Sequence, residues 1–217
     1  MCGRYALTSP PAVLAERFHL LWTPEFEPHY NIAPSQTIPV VRETGQGREM
    51  ALLRWGLIPS WAKEASIGMK LVNARGETLA DKPAFRSAYR QRRCLIPADA
   101  FYEWKAIAGR KQPYCIRMRD GGPFGMAGLW ERWKAPDGQT VESCAIVTVD
   151  ANALIAELHE RMPLILAPDD YDAWLRAESQ QLPPAVAAQD MRSYPVSPLV
   201  SNARNDVPAC LDPIDEA

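Results

Sequence analysis

The second residue of the chain carries the most distinctive chemistry in the sequence. Removal of Met1 would leave Cys2 with a free α-amine and a thiol on neighbouring carbons. An α-amine titrates near pH ~7.7–8.0 and a cysteine thiol near ~8.5, so a useful fraction of the amine is nucleophilic at neutral pH. The amine can attack an aldehyde to form a Schiff base, and the thiol can then close a five-membered thiazolidine. The alternative is an idle cysteine at a frayed terminus, and position alone does not decide between the two.

Two further residues carry groups suited to proton transfer. His159 lies in Leu-His-Glu-Arg-Met-Pro, just before an apolar run, and imidazole titrates in the range that general acid–base chemistry needs. A lone histidine at a helix end is otherwise a capping or packing residue. Glu103 lies between aromatic residues, and burial there would raise its pKa and make it a candidate acid or base. The alternative for Glu103 is an ion pair with Lys105 or a nearby arginine.

Polar and aromatic residues elsewhere are candidates for ligand binding. Asn73 is either a turn residue or a hydrogen-bonding group, and Arg75 is suited to bind phosphate or carboxylate. Residues 86–93 contain four arginines and a tyrosine. With exposed rings from Trp55 and Trp61, they would form a platform on which single-stranded nucleic acid can stack. Charge runs are more often solvated surfaces, and most tryptophans belong to the core.

Composition limits the remaining possibilities. The chain has 217 residues, 47% of them hydrophobic, which fits one domain with a sizeable core. A net charge of −2 gives no global basic field, so a nucleic-acid partner would need a local patch. Without a long apolar run or a signal-peptide pattern, we expect a cytoplasmic protein that contacts no membrane. Five scattered cysteines and three histidines favour no metal site, and Cys94, Cys115 and Cys144 are expected to be buried hydrophobes.

Short strands must position these residues, because twenty prolines and many short apolar runs are typical of strands joined by turns. Strands are predicted over 3–7, 37–42, 49–55, 92–98, 100–105, 113–118, 125–130, 142–149, 163–167 and 194–197. Helices are predicted over 10–20, 76–90 with a break at Pro83, 151–159 and 168–177. Alternation over 100–105 places Glu103 on the face of Phe101 and Lys105. The fold class is a strand-rich α+β single domain, with 178–192 as a surface connection and the last dozen residues as a loosely held tail.

Ten segments, in order, resemble one protein family, the SOS-response-associated peptidases (SRAP). They are MCGRYAL, YNIAPSQ, RWGLIPSWAK, VNARGET, PAFRSAYRQRRCLIPADAFYEWK, KQPY, AGLWE, IVTVDAN, LHERMP and VSPLVSNARND. The resemblance implies a barrel-like mixed β-sheet with flanking short helices over residues 2–207, followed by a C-terminal tail over 208–217. Two departures are small: Gly76 stands where alanine is usual, and Ala100 where glycine is usual.

The family resemblance implies a reaction with abasic sites in single-stranded DNA. The ring-opened sugar exposes an aldehyde, which Cys2 captures as a thiazolidine DNA–protein crosslink that protects the lesion. The family name implies autocatalytic removal of Met1, so the expected activities are thiol autopeptidase and abasic-site crosslinking of a lyase type. No cofactor and no metal are implied. We expect a cytoplasmic monomer of the DNA-damage response that associates with the nucleoid when it is on DNA.

The resemblance also assigns roles to individual residues. Cys2 is the double nucleophile, Asn73 orients the abasic sugar, Glu103 assists Schiff-base formation and His159 protonates the sugar ring oxygen. The resemblance implies two groups of DNA-binding residues. The phosphate ligands are Arg4, Arg75 and Arg161. The wall that stacks on a neighbouring base consists of Pro34 and Trp61.

Two other function classes stay open. Glutamine amidotransferases of the N-terminal nucleophile type also begin Met-Cys-Gly, with the thiol as nucleophile and the α-amine as base, but only these three residues match. A non-covalent binder of single-stranded DNA would use Trp61 and the arginines while Cys2 stays idle. A general protease is not indicated, because no nucleophile motif accompanies His159.

Overall fold

The computed structural model describes residues 2–214, which form two β-sheets with short helices around them. The strands are β1 Tyr5–Leu7, β2 His29–Ile32, β3 Thr37–Thr44, β4 Gly47–Trp55, β5 Asn73–Arg75, β6 Arg93–Ala98, β7 Ala100–Ile107, β8 Arg110–Met118, β9 Phe124–Lys134, β10 Thr140–Asp150, β11 Arg161–Pro163, β12 Ile165–Leu166 and β13 Met191–Pro195. The helices are α1 Pro11–Phe18, α2 Arg86–Gln91, α3 Ala153–Ala156 and α4 Tyr171–Leu175. Single 3₁₀ turns cover Ala65–Lys70, Gly76–Thr78, Pro168–Asp170, Ala188–Asp190, Pro198–Ser201 and Pro208–Cys210.

The larger sheet closes on itself. Its strand order is β11-β10-β4-β3-β6-β9-β12, and a further pairing of β9 with β10 joins five of these strands into a closed ring. The β10–β4 pair is parallel and the other pairs of the ring are antiparallel, so the barrel is mixed. Closure removes the free edges that a sheet would otherwise expose. The expected barrel-like mixed sheet with short flanking helices is thereby confirmed.

The smaller sheet carries the N-terminus and has the order β13-β8-β7-β1-β2. Its two faces are buried against different apolar clusters. Tyr5 and Phe101 pack into the main core, whereas Ala6 and Tyr102 pack into a second cluster with the C-terminal segment. The predicted alternation along β7 is confirmed, and it places Glu103 on the face of the main core.

Local signals explain most element boundaries. Helix α1 begins with Pro11 at its first position and ends at His19, whose φ is 53°. Asn152 caps α3 by accepting a hydrogen bond from the Ile155 backbone N–H. Among the described residues, no helix is long and apolar enough to cross a membrane.

Several predicted elements need correction. The prediction missed β2 and β5, whose three or four residues show no clear alternation. The helix predicted over 76–90 is a 3₁₀ turn and α2, because Pro83 prevents a continuous helix. The helix predicted over 151–159 is shorter: α3 spans four residues and begins after its N-cap Asn152.

The C-terminal segment was predicted to be a loosely held tail, but it packs against the rest of the protein up to residue 214. Cys210 is fully buried, Val196 pairs with Pro213, and the Ile214 backbone N–H donates to the carbonyl of Pro195. These contacts add the segment to β13 and to the second apolar cluster. The remainder of the predicted tail, residues 215–217, lies outside the described residues, and so does Met1. The division into a domain over 2–207 and a tail stays a prediction.

Candidate active site

Cys2 lies directly before β1 and is completely buried. Strand β1 fixes it from both sides, because Tyr5 pairs with Ile32 of β2 and with Phe101 of β7. The side-chain amide of Asn73 donates a hydrogen bond of 2.9 Å to the Cys2 carbonyl oxygen. Two elements distant in sequence therefore hold this residue in one position.

Burial sets the protonation state of the Cys2 thiol. Its pKa is raised chiefly because burial disfavours the thiolate, and the negative charge of Glu103 raises it further. The Arg4 backbone N–H, which hydrogen-bonds the sulfur, opposes this effect. The thiol is accordingly neutral at physiological pH, and a base must accept its proton when the sulfur attacks an electrophile.

Glu103 supplies a carboxyl group next to this thiol. Its side chain belongs to β7 and only 3% of the residue is exposed. Burial raises its pKa above the ordinary 4.5, and its electrostatic interaction with His159 acts in the opposite direction. The predicted grouping of Cys2, Glu103 and His159 thus appears as an electrostatically connected set.

His159 lies between α3 and β11 and is half-buried. Its Nδ1 accepts a hydrogen bond of 2.9 Å from the backbone N–H of Arg161. Since an acceptor nitrogen carries no proton, the neutral ring has its N–H at the other nitrogen, Nε2. The turn before β11 thereby fixes both the ring and its tautomer.

Three buried side-chain atoms on β1, β5 and β10 lack a hydrogen-bond partner among the described residues. They are the Tyr5 hydroxyl, Asn73 Oδ1 and Thr148 Oγ1. Asn73 and Tyr5 interact with Cys2, and Thr148 lies on the same face of the parallel β5–β10 pair as Asn73. An unpaired buried polar group costs about 1–3 kcal/mol, so these atoms suit a polar ligand.

Tyr5 and Thr148 were not predicted as site residues. Each stands in an apolar strand segment, where a hydroxyl is an exception to the pattern. The pKa of Tyr5 is raised by burial and by the neighbouring thiols of Cys144 and Cys2. A buried hydroxyl in an otherwise apolar strand is the sequence signal that would have identified both residues.

Arg4 is largely engaged inside the protein. Its Nη1 donates to Asn31 Oδ1 at 2.9 Å and to the Val200 carbonyl at 2.7 Å, and its guanidinium lies over the Trp104 ring. Burial lowers its pKa. Arg4 therefore joins β1 to the C-terminal segment as well as being a candidate phosphate ligand.

Arg75 and Arg161, the other predicted phosphate ligands, differ sharply. Arg75 is exposed at the end of β5 and forms no salt bridge within residues 2–214. Arg161 is only 8% exposed and forms a two-point ion pair with Glu77, a further one with Asp150, and a hydrogen bond to the Thr148 carbonyl. The Glu77 hydrogen bonds are the main reason that the pKa of Arg161 is raised. Arg75 is thus free for phosphate, whereas Arg161 is occupied by carboxylates.

The predicted stacking residues lie on the surface. Trp61 is 58% exposed, and its Nε1 donates a long hydrogen bond of 3.4 Å to the Pro83 carbonyl. Pro34 is half-buried in a turn joined to β4 by the hydrogen bond from Ser35 N–H to the Trp55 carbonyl. The Trp55 ring contacts Tyr5 edge-on, with centroids 5.4 Å apart, so the Pro34 turn is connected to the Cys2 end of β1.

The platform predicted from residues 86–93 is smaller than expected. Trp55 is fully buried, so Trp61 alone of the two rings is available for stacking. Arg93 is buried between Tyr89 and Trp174, and Arg92 forms an ion pair with Glu131. These two arginines stabilise the fold, which leaves Arg86 and Arg90 as the exposed members of the cluster.

The surroundings of Gly76 leave little room for a side chain unless Leu182 moves. A Cβ at this position would lie 2.5 Å from Cδ1 of Leu182 and 3.3 Å from the Thr148 carbonyl oxygen. Leu182 belongs to the segment between α4 and β13 and occupies the space that an alanine would need. For the departure at Ala100, the structure shows a fully buried residue that pairs with Ala6 of β1.

Comparison with known proteins places the chain among close relatives. The family model described as SOS response associated peptidase (SRAP) matches residues 1–203. The abasic site processing protein YoqW of Bacillus subtilis is 40% identical over 222 residues, which cover 98% of this chain and 99% of that protein. The abasic site processing protein HMCES of Gallus gallus is 31% identical over 265 residues, covering 99% of this chain and 78% of that protein.

Solved structures agree with the fold. A crystal structure of a protein from Bacteroides thetaiotaomicron matches with a TM-score of 0.86 at 24% identity and covers 98% of this chain and all of that one. A crystal structure of a protein from Bordetella bronchiseptica matches with a TM-score of 0.78 at 29% identity and covers 90% of this chain and all of the other. These structures share the strand-rich single domain.

Proposed function

Because the chain belongs to the SOS response associated peptidase family, we propose that it processes abasic sites in DNA by covalent capture on Cys2. The relatives named abasic site processing proteins support the substrate class. The observation that carries the proposal is the buried Cys2, held by Asn73 and coupled electrostatically to Glu103. An aldehyde is the electrophile that an amine and a thiol on neighbouring carbons bind together.

The first step of the proposed reaction is removal of Met1, which lies outside the described residues. Hydrolysis of the Met1–Cys2 peptide bond consumes one water and releases methionine, leaving the α-amine of Cys2. Glu103 is the carboxylate whose charge acts on the pKa of the Cys2 thiol, and it serves as the base that accepts the thiol proton. The same thiol and carboxyl group then serve the DNA reaction.

The second step opens the abasic sugar, whose closed form is a cyclic hemiacetal. His159 Nε2 donates a proton to the ring oxygen as the C1′–O bond breaks, while the proton of the C1′ hydroxyl leaves to a base, so that an aldehyde forms. Asn73 Oδ1 accepts a hydrogen bond from a sugar hydroxyl, and the Thr148 hydroxyl makes a further one. Both atoms are buried and have no hydrogen-bond partner within residues 2–214, which supports this assignment.

The third step is capture of the aldehyde. The α-amine adds to C1′, and the resulting carbinolamine loses water with a proton from Glu103, whose raised pKa keeps it protonated at higher pH than an ordinary glutamic acid. The Cys2 sulfur then adds to the imine carbon, and its proton passes to the nitrogen. The net reaction joins the aldehyde to Cys2 with release of one water.

Binding of the DNA itself rests on few contacts in this proposal. Arg75 contacts a phosphate beside the lesion, Arg4 is a second candidate, and Trp61 with Pro34 stacks on a neighbouring base of a single strand. Arg161 keeps its structural role with Glu77. With a net charge of −2, non-covalent binding is weak and salt-sensitive, as suits a protein that acts as a monomer at damaged sites.

The proposal is tested by denaturing gel electrophoresis of the protein with single-stranded DNA that contains one abasic site. Intact mass spectrometry in parallel confirms that Met1 is absent. We expect a heat-resistant shifted band from the wild type and from the control Cys210→Ala, and none from Cys2→Ala. If protein that lacks Met1 forms no covalent band and binds intact and abasic strands equally, the proposal is wrong and the protein is a non-covalent binder.

A further inference from the structure

A cavity of about 850 Å³ lies at the far end of the β7–β8 hairpin, outside the site described above. The hairpin forms one wall, and the C-terminal segment that follows β13 forms the other. The apolar part of the lining consists of aliphatic and proline side chains with one tyrosine: Ile107, Tyr114, Pro195, Pro198 and Ile214. Ile107 and Ile214 are 45% and 38% exposed, so apolar surface is open to solvent here.

Three cations surround this apolar surface. Lys105, Arg110 and Lys111 all line the cavity, and none of the lining residues carries a carboxylate. None of the three cations forms a salt bridge with another of the described residues 2–214. The cavity therefore combines positive charge that has no ion-pair partner among residues 2–214 with an exposed aliphatic wall.

The strand register fixes how charge and apolar surface are combined. Ile107 pairs directly with Arg110, and Lys105 pairs with Gln112, so these side chains share one face of the hairpin. The turn between the strands has φ of 48° at Ala108 and 79° at Gly109, the signs that a tight two-residue hairpin turn requires. A well-defined turn thus presents one aliphatic side chain between two cations.

The lining chemistry selects the class of ligand. Nucleic acid would call for exposed aromatic faces on which bases stack, but Tyr114 is only 9% exposed and the other apolar residues are aliphatic or proline. Cations around an aliphatic wall are complementary to a peptide with acidic residues and a branched aliphatic anchor. We propose that this cavity binds an acidic, aliphatic-anchored peptide segment of a partner protein.

The cavity lies close to the candidate active site, so a peptide bound there would hold its partner protein near that site. Lys105 follows Glu103 by two residues on the same face of β7 and Ile107 follows by four, so these two lining side chains lie roughly 7 and 13 Å along the strand from Glu103. Tyr114, which also lines the cavity, pairs directly with Glu103. A partner bound there would be held beside the site without occupying it. The binding event is independent of the chemistry at Cys2.

The test is fluorescence anisotropy of the full-length protein with a fluorescein-labelled peptide, Gly-Asp-Leu-Asp-Ile-Glu-Asp-Leu. The reference peptides replace every acid by its amide, or every Leu and Ile by Ser. We expect saturable binding of the first peptide and at least tenfold weaker binding of both references. Arg110→Gln and Lys111→Gln should each weaken binding by up to about fivefold, and Ile107→Ser by about tenfold.

Matched controls separate this proposal from the proposed function. Lys134→Gln removes an exposed cation from a different hairpin and should leave peptide affinity within twofold of the wild type. The double variant Arg110→Gln/Lys111→Gln should retain wild-type crosslinking to abasic DNA. The proposal is overturned if the amide peptide binds equally well, if the hairpin variants bind like Lys134→Gln, or if undamaged single-stranded DNA competes at the same residues, which would make the cavity a nucleic-acid site.

Discussion

Two buried carboxyl groups four residues apart, Asp99 and Glu103, have opposite surroundings. Asp99 is 2% exposed and accepts hydrogen bonds from the backbone N–H groups and the hydroxyls of Thr8 and Ser9. Glu103 is 3% exposed, and its pKa is raised because burial outweighs its electrostatic interaction with His159. Equal burial therefore accompanies two different roles.

The difference shows how the fold separates stability from chemistry. Four donors satisfy the Asp99 carboxylate, which ties the segment after β1 to the start of β7. Glu103 acts electrostatically on the Cys2 thiol, and Asn73, which holds the Cys2 carbonyl, has a buried Oδ1 with no hydrogen-bond partner among the described residues. Asp99, directly before β7, stabilises the fold, and Glu103, in the middle of the strand, belongs to the candidate site.

Exchanging the two carboxyl groups for their amides is expected to give the largest and clearest contrast. Glu103→Gln should lower the single-turnover rate of crosslinking to abasic DNA by about 1,000-fold, since it removes a general acid and base, and leave the free energy of unfolding unchanged or higher. Asp99→Asn should lower the free energy of unfolding by about 3 kcal/mol, because an amide cannot accept from all four donors. Urea titrations and quenched gels measure both quantities.

The contrast would be broken if Asp99→Asn lost crosslinking at temperatures where it remains folded. It would also be broken if Glu103→Gln unfolded more easily than Asp99→Asn. The first outcome would give Asp99 a part in the reaction, and the second would place the structural role at Glu103.

Removal of His159 should affect ring opening alone. His159→Gln is expected to slow crosslinking to an abasic site by about 100-fold, because no group then protonates the sugar ring oxygen. An oligonucleotide with an open-chain aldehyde needs no ring opening, and the variant should capture it at the wild-type rate. Equal loss of rate with both substrates would show that His159 acts elsewhere in the reaction.

The raised pKa of Glu103 also predicts a pH dependence of stability. A group with a raised pKa in the folded state contributes stability that is fully present below its ordinary pKa of 4.5 and is lost as the pH rises through its folded value. The free energy of unfolding of wild type relative to Glu103→Gln should therefore fall as the pH rises above about 4.5. Parallel denaturation curves between pH 4 and 8 measure this difference, and a constant difference would contradict the raised pKa.

The smallest expected effect compares two hydroxyls of β10. Ser143 accepts a hydrogen bond from the Ile58 backbone N–H at 2.8 Å, whereas Thr148 Oγ1 has no partner among the described residues. Ser143→Ala should cost about 1 kcal/mol of stability, and Thr148→Val should cost nothing or stabilise the protein. Thr148→Val should slow crosslinking up to about tenfold, and Ser143→Ala should not. Similar stability losses in both variants would show that Thr148 is satisfied in the folded protein.

Sequence patterns alone predict much of the local structure of this protein. Alternation over 100–105 correctly places Glu103 on the face of Phe101, and Pro83 correctly divides a helical region. The burial of Cys94, Cys115 and Cys144 also follows from their apolar surroundings. Such features depend on residues close together in the chain.

Contacts between residues that are far apart in the chain could not be predicted from local sequence patterns. The Asn73–Cys2 hydrogen bond joins positions 71 residues apart, and the ion pair that occupies Arg161 involves Glu77, 84 residues away. No local pattern distinguishes Arg161 from the exposed Arg75, because partner and exposure arise from strand pairing. The Thr148 hydroxyl stands out in its apolar strand, but the absence of a partner among the described residues appears only in the folded structure.

The central claim is that the amine and the sulfur of Cys2 bind the same carbon of the abasic sugar. Its most direct test is mass spectrometry of the N-terminal peptide after reaction of protein lacking Met1 with abasic single-stranded DNA, without a reducing agent and with a thiol alkylating reagent added before digestion. The account predicts a peptide in which Cys2 carries the sugar, with net loss of one water, and resists alkylation. An adduct on another residue, or a Cys2 that carries the sugar but is still alkylated at sulfur, would contradict it.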